Sequence, residues 1–201
     1  IGSMGKLLIP RNFCRIFWRF EDRWVVGWKP TSLSIRKSKQ EWIAEVGGAF
    51  TAVSDVVLNN GGVVYGCGLS SSHQAEHRRA ATKAERNSFR GSKYVQSSMG
   101  NCFQSAAADI KAGKEVMFSG TGCQIDALKH FLAANPENLL TMDIVCHGVP
   151  SPLVWEGFLQ WMQEKHHGKV QKVNFRDKQY GWMVHLESTV INDHKYVTGH
   201  Y

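Results

Sequence analysis

The chain has 201 residues, 43% hydrophobic and 20% charged, a composition that supports one well-buried domain and argues against a disordered chain. It has no run of about 18 apolar residues, as a transmembrane helix needs, nor a signal peptide's basic-apolar-small order at its N-terminus, so a cytoplasmic location is expected. The net charge of +7 is spread out, with Arg78-Arg79 and Lys37-Ser38-Lys39 the nearest approach to clusters, which argues against nucleic-acid binding and suits small anionic ligands equally well.

Residues 1–45 hold four of the seven tryptophans (Trp18, Trp24, Trp28, Trp42) among many Arg and Lys, without a steady period, and no folded module is expected there. From Gly47 the pattern becomes regular. Phe50, Val53 and Val57 recur at helical spacing between Ala49 and Leu58, and Asn59-Asn60-Gly61 stops that helix. Gly62-Val63-Val64-Tyr65-Gly66 reads as a buried strand, and Ser70 to Ala84 as an exposed polar segment. Ser97 to Ala112 has helical composition, closed by Gly113-Lys114, and Glu115 to Phe118 is a second buried strand. A helix from Gln124 to about Ala134 ends at Asn135-Pro136, and Leu139 to Val145 is a third strand. Pro152 to Glu164 reads as an amphipathic helix and Val170 to Phe175 as a fourth strand. Met183 to Val190 and Lys195 to Val197 form a hairpin about Asn192-Asp193-His194. Strands alternating with helices imply an α/β fold, a mixed and largely parallel sheet with flanking helices and the hairpin at its C-terminal end.

Five separated cysteines (Cys14, Cys67, Cys102, Cys123, Cys146) form no disulfide framework and no C-x₂-C pair. Ligands in open α/β sheets collect at the carboxyl ends of strands, and two thiols fall there. Cys123 sits where the second strand turns into the Gln124 helix, whose free N–H groups favour an anion or a metal-bound thiolate. Cys146 follows the third strand, before His147-Gly148 and two prolines. A lone thiol after an apolar run is more often a small buried hydrophobe, and two at equivalent strand ends bring the ligand reading level with that one.

Other candidates are weaker. Cys67, between Gly66 and Gly68, reads as a packing residue, and the third glycine of a dinucleotide fingerprint is replaced by Ser71. His73 and His77 stand at helical spacing without the glutamate of a zinc protease and read as a solvated face. Arg90-Gly91-Ser92-Lys93 through Ser97 combines two cations, a Gly-Ser pair and a hydroxyl at a helix start, which makes either a phosphate cradle or a surface loop. Asn174 to Lys178, then Gly181-Trp182, ends a strand in charges and an indole able to stack on an aromatic ring.

Taken together, Gly47-Gly48-Ala49-Phe50, Gly61 to Gly66, Arg90 to Ser97, Ser119 to Gln124, Asp143 to Pro152 and Asn174 to Lys178 resemble, in order and spacing over about residues 47–200, the coenzyme F420 hydrogenase/dehydrogenase beta-subunit family. The resemblance implies an oxidoreductase or electron-transfer subunit with FAD beside a [4Fe-4S] cluster, passing electrons to F420 or another small acceptor. It implies Cys123 and Cys146 as cluster ligands, and Gly47, Gly48, Lys93, Gln96, Ser97, Ser119 and Thr121 near the flavin or its phosphates. The implied partners are a ferredoxin-like domain or electron-donor subunit and a small redox substrate.

The sequence departs from the family at Gly122, where members usually have proline, and at Ala44-Glu45-Val46, where many have serines. Residues 1–45 carry only Cys14 where many members have C-x₂-C-x₂-C runs. Residues 46–201 are therefore expected to be a truncated family domain behind an atypical segment of 45 residues. The alternative expectation is a cofactor-free remnant acting as a binding or assembly module.

Overall fold

The computed structural model describes residues 18–20, 23–25, 47–177, 179 and 186–199. Two short strands, β1 (Trp18–Phe20) and β2 (Arg23–Val25), pair antiparallel. Cys14 and Trp182 lie outside the described residues, as do Lys178 and the first residues of the expected hairpin.

Helix α1 (Gly47–Asn59) leads through Gly61, at φ 79°, into β3 (Val63–Leu69). Gly62 completes the turn because nothing larger fits: a Cβ there would stand 2.5 Å from Glu115 O and 2.7 Å from a Val57 methyl. Phe50 and Val57 lay the apolar stripe of α1 against Val64 and Met117 on one face of the sheet.

Strand β4 (Ala75–Ala80) runs antiparallel to β3, with Cys67 opposite His77 and Tyr65 opposite Arg79. The segment expected to be polar and exposed is thus an edge strand. Ala75, His77 and Ala80 are buried, and the strand gains its hydrogen bonds from β3 and, beyond its other edge, from Ser98. Small and polar side chains hide the alternation that larger apolar residues would have advertised. His77 therefore lies neither on a helix nor in solvent, which corrects the solvated-face reading. Gly66 and Gly68 fall inside β3, beneath the Phe89 ring and the Arg78 guanidinium, and form no nucleotide-binding turn.

A short helix α2 (Lys83–Asn87) opens with a Thr82–Glu85 capping box and buries Arg86. Helix α3 (Cys102–Lys111) begins later than expected, since Ser97 and Ser98 instead continue extended along β4. Then follow β5 (Val116–Thr121), α4 (Gly122–Leu132), β6 (Leu139–Ile144) and α5 (Pro152–Lys165), whose Ser151 caps the Val154 N–H ahead of a first-turn proline. The sheet order is β4-β3-β5-β6, with β3, β5 and β6 parallel and only β4 reversed.

Strand β7 (Val170–Asp177) does not join that sheet. It pairs antiparallel with β8 (Leu186–Ile191), which pairs in turn with β9 (His194–Gly199). The turn between β8 and β9 places Asn192 and Asp193 at φ 50° and 61°, the paired left-handed conformation that Asn and Asp tolerate in a two-residue hairpin. Trp155 and Phe175, with ring centroids 4.5 Å apart, pack α5 onto this second sheet.

Candidate functional site

The parallel order of β5 and β6 decides where the two predicted ligand thiols lie. Thr121 and Ile144, the last residues of these strands, are register partners, and Cys123 and Cys146 each follow two positions later. Both thiols are consequently at the carboxyl edge of neighbouring strands, and both are exposed. Cys123 Sγ shares a hydrogen bond with Thr121 Oγ1 (3.1 Å), and Cys146 Sγ accepts one from the Gly148 N–H (3.3 Å), Gly148 holding a left-handed φ of 105°. Among the described residues no three His, Cys, Asp or Glu side chains come together as a metal site.

The turn that carries Cys123 is held from below. Gln124 turns back so that its Oε1 accepts the Thr121 N–H (3.0 Å), while its Nε2 donates to Ser97 Oγ (2.9 Å). Ser97 Oγ lies 3.0 Å from His77 Nδ1, and His77 Nε2 lies 3.0 Å from the Ser119 carbonyl. A carbonyl only accepts, so Nε2 carries the proton and Nδ1 must accept from the Ser97 hydroxyl. His77, Ser97 and Gln124 thus form one directed chain whose ends grip Ser119 and Thr121. The imidazole stacks on Phe118 with centroids 5.7 Å apart, and Phe118 on Tyr65 at 5.5 Å. Gly120 leaves room for this arrangement, since a Cβ there would meet Gln124 Oε1 at 2.9 Å and His77 Nε2 at 3.4 Å.

The other predicted residues distribute as follows. Gly47 and Gly48 begin α1, which packs on the sheet and folds straight back into β3, so its N-terminus lies toward the carboxyl ends of the strands. The backbone N–H of Gln96 donates to Pro150 O (3.0 Å), which ties the Arg90–Ser97 loop to the segment after Cys146. The ammonium of Lys93 donates to the carbonyls of Ser88 (3.3 Å), Phe89 (2.9 Å) and Arg90 (3.1 Å) and so closes the turn that follows α2. Burial pushes the Lys93 amine down to about 8. Ser119 is buried and contributes its carbonyl, and Thr121 is half-buried.

Two residues of the site were not singled out from the sequence. One is His77, read from the sequence as part of a solvated face because nothing local marks β4 as a strand. The other is Asp143, register partner of Gly120, whose buried Oδ1 has no hydrogen-bond partner and whose Oδ2 lies 3.9 Å from where a Gly122 Cβ would stand. Cys102 is buried and donates to His77 O (3.1 Å), and Cys67 is half-buried with its thiol pushed up by burial; neither is exposed as Cys123 and Cys146 are.

A second polar centre ties β3 and β4 to α3. Asp109 accepts from Tyr65 Oη (2.7 Å), from Arg79 Nε (2.6 Å) and from Lys114 Nζ (2.8 Å). Burial alone would raise the Asp109 carboxyl, but hydrogen bonds from Arg79, Lys114 and Tyr65 outweigh it and hold the group well below the usual carboxylate range. Burial pushes the His77 imidazole below its ordinary value of 6.5.

Both shifts have the same sign for stability. A group whose value is lowered on folding contributes fully above its unfolded value, and the contribution is lost as the pH falls. Thermal midpoints should therefore decline first below about pH 6.5 on account of His77, then more steeply below about pH 4, where the unfolded chain takes up a proton at Asp109 that the fold holds off. A midpoint flat from pH 7 to 5 would contradict the neutral, enclosed state of His77.

Residues 113–197 match the family model that describes the C-terminal part of the coenzyme F420 hydrogenase/dehydrogenase beta subunit. No curated protein matches the chain. Among solved structures, a chain of the F420-reducing [NiFe] hydrogenase complex from Methanosarcina barkeri shares the fold, with a TM-score of 0.52 at 18% sequence identity. The similarity covers 82% of this chain and 58% of that one, so the present chain spans little more than half the length of that relative. No helix among the described residues is long and apolar enough to cross a membrane. Residues 113–197 are thus similar to the C-terminal part of the coenzyme F420 hydrogenase/dehydrogenase beta subunit, and the chain shares its fold with a chain of that hydrogenase complex.

Proposed function

We propose that this chain is part of an iron–sulfur flavoprotein that relays electrons between a [4Fe-4S] cluster and FAD and on to F420 or another small acceptor. The observation that carries the reading is the placement of Cys123 and Cys146, exposed and two residues past the register pair Thr121 and Ile144. A cubane takes four thiolates, and these two fit half of that set. In this reading the remaining ligands come from a ferredoxin-like domain or an electron-donor subunit. Val145, Val149, Leu153 and Val154 are exposed apolar side chains around Cys146, a rim that suits such a partner.

For the flavin, the reading assigns the amide ends of α1 at Gly47 and Gly48, together with Lys93, Gln96, Ser97, Ser119 and Thr121. Backbone N–H groups at helix starts attract phosphates, and Thr121 and Gly122 open an α4 of 11 residues. Lys93 serves a phosphate only by giving up one of its three carbonyl partners. A flavin held by these residues would supply the chemistry that couples two one-electron transfers from a cluster, with uptake of one proton from solvent, to transfer of a hydride to the acceptor. The chain's own part is to fix both groups and to keep Cys123 and Cys146 facing the partner.

Anaerobic reconstitution with iron, sulfide and FAD in the presence of the ferredoxin-like partner tests the assignment. Tight flavin and a broad visible absorbance that bleaches on reduction are expected. A folded protein that takes up neither group would instead support the binding-module alternative.

A further inference from the structure

We infer that His77 is a positioning residue for Cys123, and that it joins the thiol-bearing turn Ser119–Gln124 and the Arg90–Ser97 loop into one hydrogen-bonded unit. The inference rests on the reading of Cys123 as a ligand only for its functional meaning; its geometry stands alone. His77 is 6% exposed, lies on β4, and has no place in the relay itself. Both ring nitrogens are spent on this unit, Nε2 on Ser119 O and Nδ1 on Ser97 Oγ, each at 3.0 Å. Ser97 is the junction, since it also receives Gln124 Nε2 at 2.9 Å. Gln124 in turn holds the Thr121 N–H at 3.0 Å, and the Thr121 hydroxyl meets Cys123 Sγ at 3.1 Å.

The direction of every bond but the last follows from chemistry. The Ser119 carbonyl and the Thr121 N–H each allow one role only, so neutral His77 with Nε2–H is the arrangement that satisfies the whole chain. Gly122, with no side chain, gives the start of α4 no restraint of its own. Restraint then comes through Gln124 and Ser97 from His77, itself clamped between Phe118 and the start of α3, where Cys102 Sγ donates to His77 O at 3.1 Å. A group bound at the Arg90–Ser97 loop would consequently be felt at Cys123 through Ser97.

The test needs no cofactor. In His77→Phe the ring keeps its stacking on Phe118 but loses both polar contacts, whereas His77→Gln retains a donor and an acceptor. Amide hydrogen exchange at Thr121 and alkylation of Cys123 by iodoacetamide at fixed pH are followed, with Met117 N–H and Cys146 as internal references. His77→Phe should speed exchange at Thr121 and alkylation of Cys123 by about fivefold or more, the scale of one net hydrogen bond. The references should change less than about twofold, and His77→Gln should fall between the two. Equal acceleration at all four positions would make His77 a packing residue only, and no change at Thr121 and Cys123 would remove it from the turn. Either result overturns the inference without bearing on whether Cys123 binds a cluster.

Discussion

Replacing Arg86 with alanine will destabilise the fold by about 3 kcal/mol, measured as a fall in the urea midpoint at unchanged slope. The guanidinium is 3% exposed and knits α2 to α1. Its Nη1 donates to Thr51 O (3.0 Å) and to Ser54 Oγ, and its Nη2 pairs with Asp55. Alanine removes the Arg86 donor from buried Ser54 and from the Thr51 carbonyl, which are left only with the bond from Ser54 Oγ to Thr51 O (3.1 Å), and opens the space of a long side chain between the two helices. Asp55, about a third exposed, finds water instead, which keeps the cost below that of stranding a fully buried charge. Arg86→Lys should recover part of the loss, because one ammonium cannot span acceptors that the planar fork reaches from two sides.

Phe118→Ala is expected to cost more, about 3–5 kcal/mol. Phe118 is fully buried on β5, the strand that β3 and β6 flank, and its ring meets Tyr65, His77 and Phe103 at 5.5, 5.7 and 5.8 Å. Truncation opens a cavity under the imidazole, so it should also loosen the His77–Ser97–Gln124 chain and speed exchange at the Thr121 amide beyond the global effect. Phe118→Leu, which keeps most of the volume, should cost about 1–2 kcal/mol and leave that amide close to wild type. If the two variants were equally stable, the stack would not be the centre of this core.

Much of this architecture is legible in the sequence, for identifiable reasons. Strands β3, β5 and β6 announce themselves as short apolar runs because parallel strands are covered on both faces, and the helices after β5 and β6 begin where Gly-Thr-Gly or Ser-Pro breaks the run. That pattern alone puts Cys123 and Cys146 at strand ends. Strand β4 is not legible, since an edge strand can bury Ala75, His77 and Ala80 while presenting Glu76, Arg78 and Arg79, and nothing local reveals that β3 will pair with it. The separation of β7 from the main sheet is equally non-local: its partner β8 lies beyond it in sequence, and α5 places the pair through Trp155 and Phe175.

The site divides the same way. Ser97, Ser119, Thr121 and Cys123 come from two motifs recognisable in sequence, but the residue that joins them, His77, sits in the unrecognised strand. Lys93 illustrates the converse. Its charge and glycine-serine neighbours suggest a phosphate contact, while the fold spends all three of its donors on the turn that follows α2. Which use prevails with a flavin present is decided by the competition between a phosphate and three carbonyl oxygens for one ammonium.

The central claim is that Cys123 and Cys146 bind a cluster, and iron and acid-labile sulfide content after anaerobic reconstitution with the ferredoxin-like partner tests it most directly. Cys123→Ser and Cys146→Ser should each lose most of the iron and sulfide, whereas Cys67→Ser, altering a half-buried thiol inside β3, should retain them. Unchanged iron and sulfide in both Cys123→Ser and Cys146→Ser would contradict the account.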